Sequence, residues 1–361
     1  MRPFAWWITL WMLCLGSTAY SAPVAPLPPN WPWRGISIDS FGGGNDVGEI
    51  DFLAGLGVNA VQLNLSMRST AEYEHMSPEA AWRKNVEWAD LMLDACAKHG
   101  MVGIVSLFQF PLDPTLSLNQ ESPGFWDAPA QLDQATGQVA ALADHFKRRG
   151  REFAAYDILS EPLVVRSSGQ EIPAQWAALR NRIIDEIQRR DPNRFIVISP
   201  GPGAEASGYR TFIPLAKARI IYTAHVYNPH SYTHQGIGRR TLGCIYPGYC
   251  AGTLWNSAQL RNNLAPVLEF RNKFRALVWI GEFSAVRWAK GSERYISDLI
   301  YLFDSNTLGW SYYSLNSWHG WNPSYNDQYG TDHPAVWESQ YVGTETLRWG
   351  ILKNAFSKNV R

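Results

Sequence analysis

Two short apolar runs in this chain each end in a glutamate. One reads Phe153-Ala-Ala-Tyr-Asp-Ile-Leu-Ser160 and continues into Glu161-Pro162; the other reads Ala276-Leu-Val-Trp-Ile-Gly281 and continues into Glu282-Phe283. A carboxylate at the end of a buried strand costs free energy unless it has partners or chemistry to perform. Two of them in one domain suit a pair in which one carboxyl handles a proton while the other attacks carbon, as in the cleavage of a glycosidic bond. Taken singly, each has a plainer reading. Glu161 beside Pro162 fits the start of a helix, where the helix dipole favours an acid, and Glu282 fits a glutamate exposed at a strand end.

The elements that must position the pair are legible as an alternation. Eight β-rich apolar runs fall at 35–39, 58–65, 101–108, 153–160, 194–199, 219–226, 276–283 and 308–315. Helical patterns separate them, most clearly at 78–99, 129–149, 173–190 and 257–274, more weakly at 46–56, 204–216 and 292–303, with a last one at 344–356. Eight strand–helix units predict a single-domain (β/α)8 TIM barrel, an α/β fold, over residues 34–361, with an open doubly wound sheet as the rival. Chemistry in such a barrel sits at the C-terminal ends of the strands. That rule places Glu161 after strand four and Glu282 on strand seven. His225 and Tyr227 end strand six and share a face, being two residues apart. The stretch Gly42-Gly43-Gly44 lacks the spacing of a dinucleotide fingerprint and reads as a loop.

Composition narrows the partners. Thirty-two basic and 32 acidic residues give a formal net charge of zero, so nucleic acid and anionic membranes are not favoured. Seventeen Trp and 16 Tyr exceed what a core requires, and flat rings with one polar atom suit the C–H faces of sugars. Arg2, the apolar run 4–15 and the small residues up to Ser21 read as a secretory signal at 1–21, against the rival of an uncleaved anchor. A Pro-rich lead-in follows at 22–33. Trp6, Trp7, Trp11 and Cys14 leave with the signal. A secreted or periplasmic location permits a disulfide, and Cys244 and Cys250 flank the turn-like Ile-Tyr-Pro-Gly-Tyr, so these two are expected to pair. Cys96 lies in a helical pattern and reads as a buried thiol.

Four segments together resemble glycoside hydrolase family 5, the cellulase-like branch of a large retaining clan. Leu159-Ser160-Glu161-Pro162 resembles the family's Asn-Glu-Pro on strand four, whose glutamate is the acid/base. His225-Val226-Tyr227 resembles its His-x-Tyr, Trp279-Ile280-Gly281-Glu282-Phe283 its nucleophile segment, and Trp310 in Gly-Trp-Ser-Tyr-Tyr its strand-eight aromatic beneath the reacting sugar. The resemblance implies a barrel from about Trp33 to the final helix, with Glu161 as acid/base and Glu282 as nucleophile. Departures accompany it. The family's Asn is Ser160 here, its strand-two Arg falls on Gln62, and its strand-three His falls near Phe108 or Gln109, with Arg68 a candidate substitute from the next loop.

The supporting roles follow from these positions. Tyr227 is expected to donate to Glu282, and His225 to stand near the acid/base; the plain readings are a core Tyr and a satisfied core His. Ser160 is expected to hold the 2-hydroxyl of the sugar or to cap the next helix. Trp310 is expected as a sugar platform, with Trp318, Trp321 and Trp337 as flanking candidates. A metal reading of His225, His230 and His234 is disfavoured, because Pro229 and the Ser-Tyr-Thr run argue for a loop. The expectation is a monomeric retaining β-glycoside hydrolase, cofactor-free, cleaving a β-linked polysaccharide in an endo-acting, cellulase-like manner. The alternatives are a β-mannan, a β-1,3-glucan or a bacterial exopolysaccharide as substrate, or a carbohydrate-binding barrel without catalysis.

Overall fold

The computed structural model describes residues 26–41, 46–110, 121, 123–329 and 334–359. The expected signal and the Gly42–Gly44 loop lie outside the described residues. Eight parallel strands close into a barrel. They are β1 (Arg34–Asp39), β2 (Ala60–Leu65), β3 (Val102–Leu107), β4 (Phe153–Asp157), β5 (Phe195–Ile198), β6 (Ile220–Val226), β7 (Leu277–Phe283) and β8 (Gly309–Tyr312). Each pairs with its sequence neighbours, and β8 closes on β1 through Arg34 opposite Trp310 and Ile36 opposite Tyr312.

Two of the long helices between strands begin at good caps. Ser77 caps Pro78–Lys98 and Asn256 caps Ser257–Phe274, each accepting from a backbone N–H in the first turn. Their apolar stripes bury against the outward residues of the strands, and this shell is the main core. The expected helix at 204–216 does not form. Pro202–Ala204 and Ala206–Tyr209 are two short 3-10 turns instead. Gly208 and Pro214 stand inside that stretch; the proline lacks a backbone donor and its ring clashes with the preceding turn, so no continuous helix spans it.

Inside the barrel a second, smaller apolar cluster forms the floor, with Trp33 and Trp279 set edge to face among Ala60, Val102, Phe195 and Ile221. Above that floor the interior turns polar. Ser37, Gln62, Asn64, Ser106, Asp157, Thr223 and Ser311 are all buried there. Two-stranded ribbons decorate the top, at Val164–Arg166 with Gly169–Glu171 and at Gly248–Cys250 with Thr253–Trp255. The second is fastened by the Cys244–Cys250 disulfide, with Cα atoms 5.2 Å apart. Cys96 is a buried free thiol.

Candidate active site

Strand alternation brings His225 and Tyr227 inward from β6, on the face that also carries Ile221 and Thr223. Glu282 reaches the same mouth by a different route. On β7, Trp279 faces the interior, and strict alternation would turn Glu282 outward. A bulge intervenes, because Ile280 is opposite Ala224 whereas Glu282 is already opposite His225. The extra residue is Gly281, where a Cβ would lie 2.6 Å from Thr223 Oγ1 and 3.1 Å from His225 Nε2. Only a residue without a side chain fits there, and the bulge it permits aims Glu282 into the mouth.

The side chains converge closely. His225 Nδ1 lies 2.7 Å from Glu161 Oε1 and 3.7 Å from Glu282 Oε2. Tyr227 Oη donates to Glu282 Oε2 at 2.8 Å, and Ser160 Oγ donates to Glu282 Oε1 at 3.3 Å. One donor atom each from Glu161, His225 and Glu282 lies within 4.8 Å of the others. The two carboxylates differ in exposure, with the Glu161 side chain 36% exposed and that of Glu282 5%. Burial pushes Glu282 above the usual carboxylate range; the His225 charge opposes this, the Glu161 charge adds to it, and the Tyr227 and Ser160 donors oppose it again. Burial would lower His225, yet the charges of Glu282, Glu161 and Asp157 hold it up at about 9. His225 and the two carboxylates therefore form one close cluster, with the ring between them.

Other expected residues lie elsewhere. Trp310 is fully buried on the outer face of β8, stacked on Phe356 of the last helix, with its Nε1 donating to Asp304 Oδ1 at 3.2 Å. It is a core residue and no sugar platform. The strand-eight aromatic at the mouth is Tyr313, whose Oη donates to Asp39 Oδ2 at 3.4 Å. Trp321 sits 6.0 Å from Tyr227 and 6.5 Å from Tyr313, ring to ring, and Trp318 lies 5.7 Å further along the same aromatic band. Trp337 stacks on His319 instead. Gln62 is buried in the barrel interior with neither amide atom partnered. Gln109 accepts from Ser66 Oγ, and Arg68 pairs with Glu72 on the surface.

Three acids were missed by the sequence reading. Asp39, at the end of β1, accepts from Asn64 Nδ2 at 2.6 Å, and burial lifts its carboxyl to about 7. Glu49, in the helix after β1, is raised to about 8, first by burial and then by the charges of Asp46 and Asp39. Asp157, beneath the pair on β4, is raised to about 7 by burial. The signal for Asp39 and Asp157 was available: each is an acid at an inward position within two residues of a strand end.

Known proteins resemble this chain in sequence and fold. Residues 20–318 match the family model described as cellulase, glycosyl hydrolase family 5. Endoglucanase C of Acetivibrio thermocellus is 25% identical over 199 residues, covering 46% of this chain and 55% of that protein, so the chain spans about half the length of such curated relatives. The fold superposes on a crystal structure titled as a glycoside hydrolase with a TM-score of 0.67 and 20% identity, covering 90% of this chain and 99% of that one. It also superposes on a hyperthermophilic endo-beta-1,4-glucanase in complex with substrate, with a TM-score of 0.66 and 17% identity over 90% and 97% of the chains. Sequence motifs, closed barrel and family match coincide: the chain is a glycoside hydrolase belonging to glycosyl hydrolase family 5, the cellulase family.

Proposed function

We propose that this protein hydrolyses a β-linked glucan, endo-acting and cellulase-like, by double displacement with retention of anomeric configuration. The observation that carries the reading is the approach of Glu161 to Glu282, with carboxylate oxygens inside 4.8 Å. Retaining enzymes place the two carboxyls about 5–5.5 Å apart, whereas inverting ones leave about 6.5–9.5 Å for a water. Glu282 is the nucleophile: two hydroxyl donors and an imidazolium surround its oxygens and favour the anion that burial opposes. Glu161 is the acid/base and the more exposed of the two, as a group that must meet both the leaving oxygen and the incoming water. In the first step Glu282 bonds to the anomeric carbon while Glu161 gives its proton to the departing oxygen. In the second, Glu161 takes a proton from water, the water oxygen bonds to the same carbon, and the ester to Glu282 breaks.

Ser160 supports Glu282 in this scheme instead of the sugar hydroxyl first expected of it. Tyr313, Trp321 and Trp318 form the sugar-facing wall. The segment 1–21 directs export, and the Cys244–Cys250 bond fits the oxidising compartment that export implies. The test is a panel of β-glucans, β-mannan, xylan and exopolysaccharides, scored by new reducing ends beside a Glu282→Gln variant. Equal cleavage by parent and variant would remove Glu282 as nucleophile. NMR of the first-formed anomer decides the stereochemistry, and initial inversion would overturn the mechanism.

A further inference from the structure

Below the carboxylate pair lie two buried polar atoms of opposite kind, each without a protein partner. One is His225 Nε2 and the other is Asp157 Oδ1. The ring's Nδ1 is committed to Glu161, and the other Asp157 oxygen accepts from Ser106 Oγ at 2.8 Å. Both residues are nine-tenths buried or more. An unpaired buried donor or acceptor costs about 1–3 kcal/mol, more when charged, so an orphan N–H and an orphan carboxylate oxygen in one interior call for a link. A buried water with two to four polar partners is the usual solution. Gln62 and Ser311 offer further unpaired atoms into the same interior from β2 and β8. Gly281 leaves the space beside Nε2 free of a side chain on the β7 side.

We infer that Asp157 is a positioning residue for the acid/base: through a buried water it takes the Nε2–H of His225 and so fixes the ring's Nδ1–H on Glu161. This rests on the assignment of Glu161 proposed above. The groups acting on Asp157 are Ser106 from β3, His225 from β6, Glu282 from β7 and the backbone of Leu159. Those acting on the ring are Glu282, Glu161 and Asp157. With its carboxyl near 7, Asp157 is neutral in acid and charged in mild alkali, so its influence on the ring appears only on the alkaline side.

The decisive variant is Asp157→Asn, which keeps the size and an acceptor for Ser106 but removes the charge. The titration midpoint of the His225 ring, followed by NMR of its carbon-bound protons, falls, as for loss of an opposite charge. The alkaline limb of kcat/KM moves down with it, and the acidic limb stays in place. A ring midpoint unchanged in the variant, or a loss of kcat/KM by one factor at every pH, overturns the inference. Should the variant fail to fold, Asp157→Ser takes its place, read by the same ring midpoint and the same limbs of kcat/KM. Failure of the Glu161 assignment would show separately, as a Glu161→Ala variant still active on polymer.

Discussion

The hydrogen bond from Tyr227 Oη to Glu282 Oε2, at 2.8 Å, sets a measurable quantity. Glu282 is buried, and burial opposes its ionised form, so its charge at working pH depends on donors. A hydrogen bond to a charged group contributes about 1.5–3 kcal/mol net. At 1.36 kcal/mol per pH unit, Tyr227→Phe lifts the Glu282 carboxyl by about one to two units. The change removes only a hydroxyl; the ring remains beside Trp321, while Ser160 and His225 continue to face the carboxylate. A donor stabilises the anion, so its loss favours the protonated form and the acidic limb of kcat/KM moves upward. That limb reports the free enzyme. Well above the limb the variant approaches the parental rate; one unit below the parental limb it is slower by about tenfold or more. The assay is kcat/KM for a soluble oligosaccharide that the parent cleaves, across the pH range where both proteins stay folded. An unmoved acidic limb, with the rate lowered by one factor throughout, would refute this use of the hydroxyl.

Three further outcomes follow from the same structure. Trp310→Phe lowers the melting temperature but leaves kcat/KM within about twofold, whereas Tyr313→Ala lowers kcat/KM by about tenfold, the scale of one aromatic contact; a larger catalytic loss from Trp310→Phe would restore Trp310 to the sugar site. Folded-state carboxyls near 7 for Asp39 and Asp157 and near 8 for Glu49 keep protons that the unfolded chain releases from about 4, so each lowers stability as pH rises through that window. His225, at about 9 folded against 6.5 unfolded, contributes stability below 6.5 that is lost toward 9, so calorimetry finds a melting temperature falling from about pH 5 to about pH 9, and a rise across that interval would contradict these environments. Replacing Cys244 and Cys250 by Ser, which opens a link of sequence separation six, lowers stability by about 2 kcal/mol in denaturant titration; no loss would show that packing alone holds the loop.

Much of this site was legible because its residues obey two rules at once. His225, Tyr227 and Glu282 stand within a residue of a strand end and Glu161 four residues beyond one, and strand ends survive small errors in reading the strands. What failed was phase. On β8 aromatic residues occupy both faces, with Trp310 and Tyr312 outward and Tyr313 inward, so hydrophobicity gives no sign of which ring meets the mouth. The phase is set by pairing with β1, where Gly35 lies opposite Ser311. On β7 the opposite problem arises: alternation counted from Trp279 predicts the wrong face for Glu282, and only the bulge at Gly281 corrects it. Asp39 and Asp157 escaped because each was read as part of an apolar run, although the upper interior of this barrel is polar. The failed helix at 204–216 carried its own breakers in the sequence, Gly208 and Pro214.

The place of His225 between two carboxylates bears on how the proposed reaction conserves charge. Before the first step Glu161 is neutral, Glu282 is an anion and the imidazolium balances it. After that step Glu161 is the anion and Glu282 is a neutral ester, so the cluster's net charge is the same while the site of the negative charge has moved. A single cation 2.7 Å from one carboxylate oxygen and 3.7 Å from the other can stabilise either state without moving. In a site of low dielectric this matters, because a fixed charge needs no reorganisation as the reaction proceeds. A cation placed against Glu282 alone would stabilise the resting enzyme and oppose the transfer of charge to Glu161. The closer approach to Glu161 therefore favours the step that forms the glycosyl-enzyme in the proposed reaction.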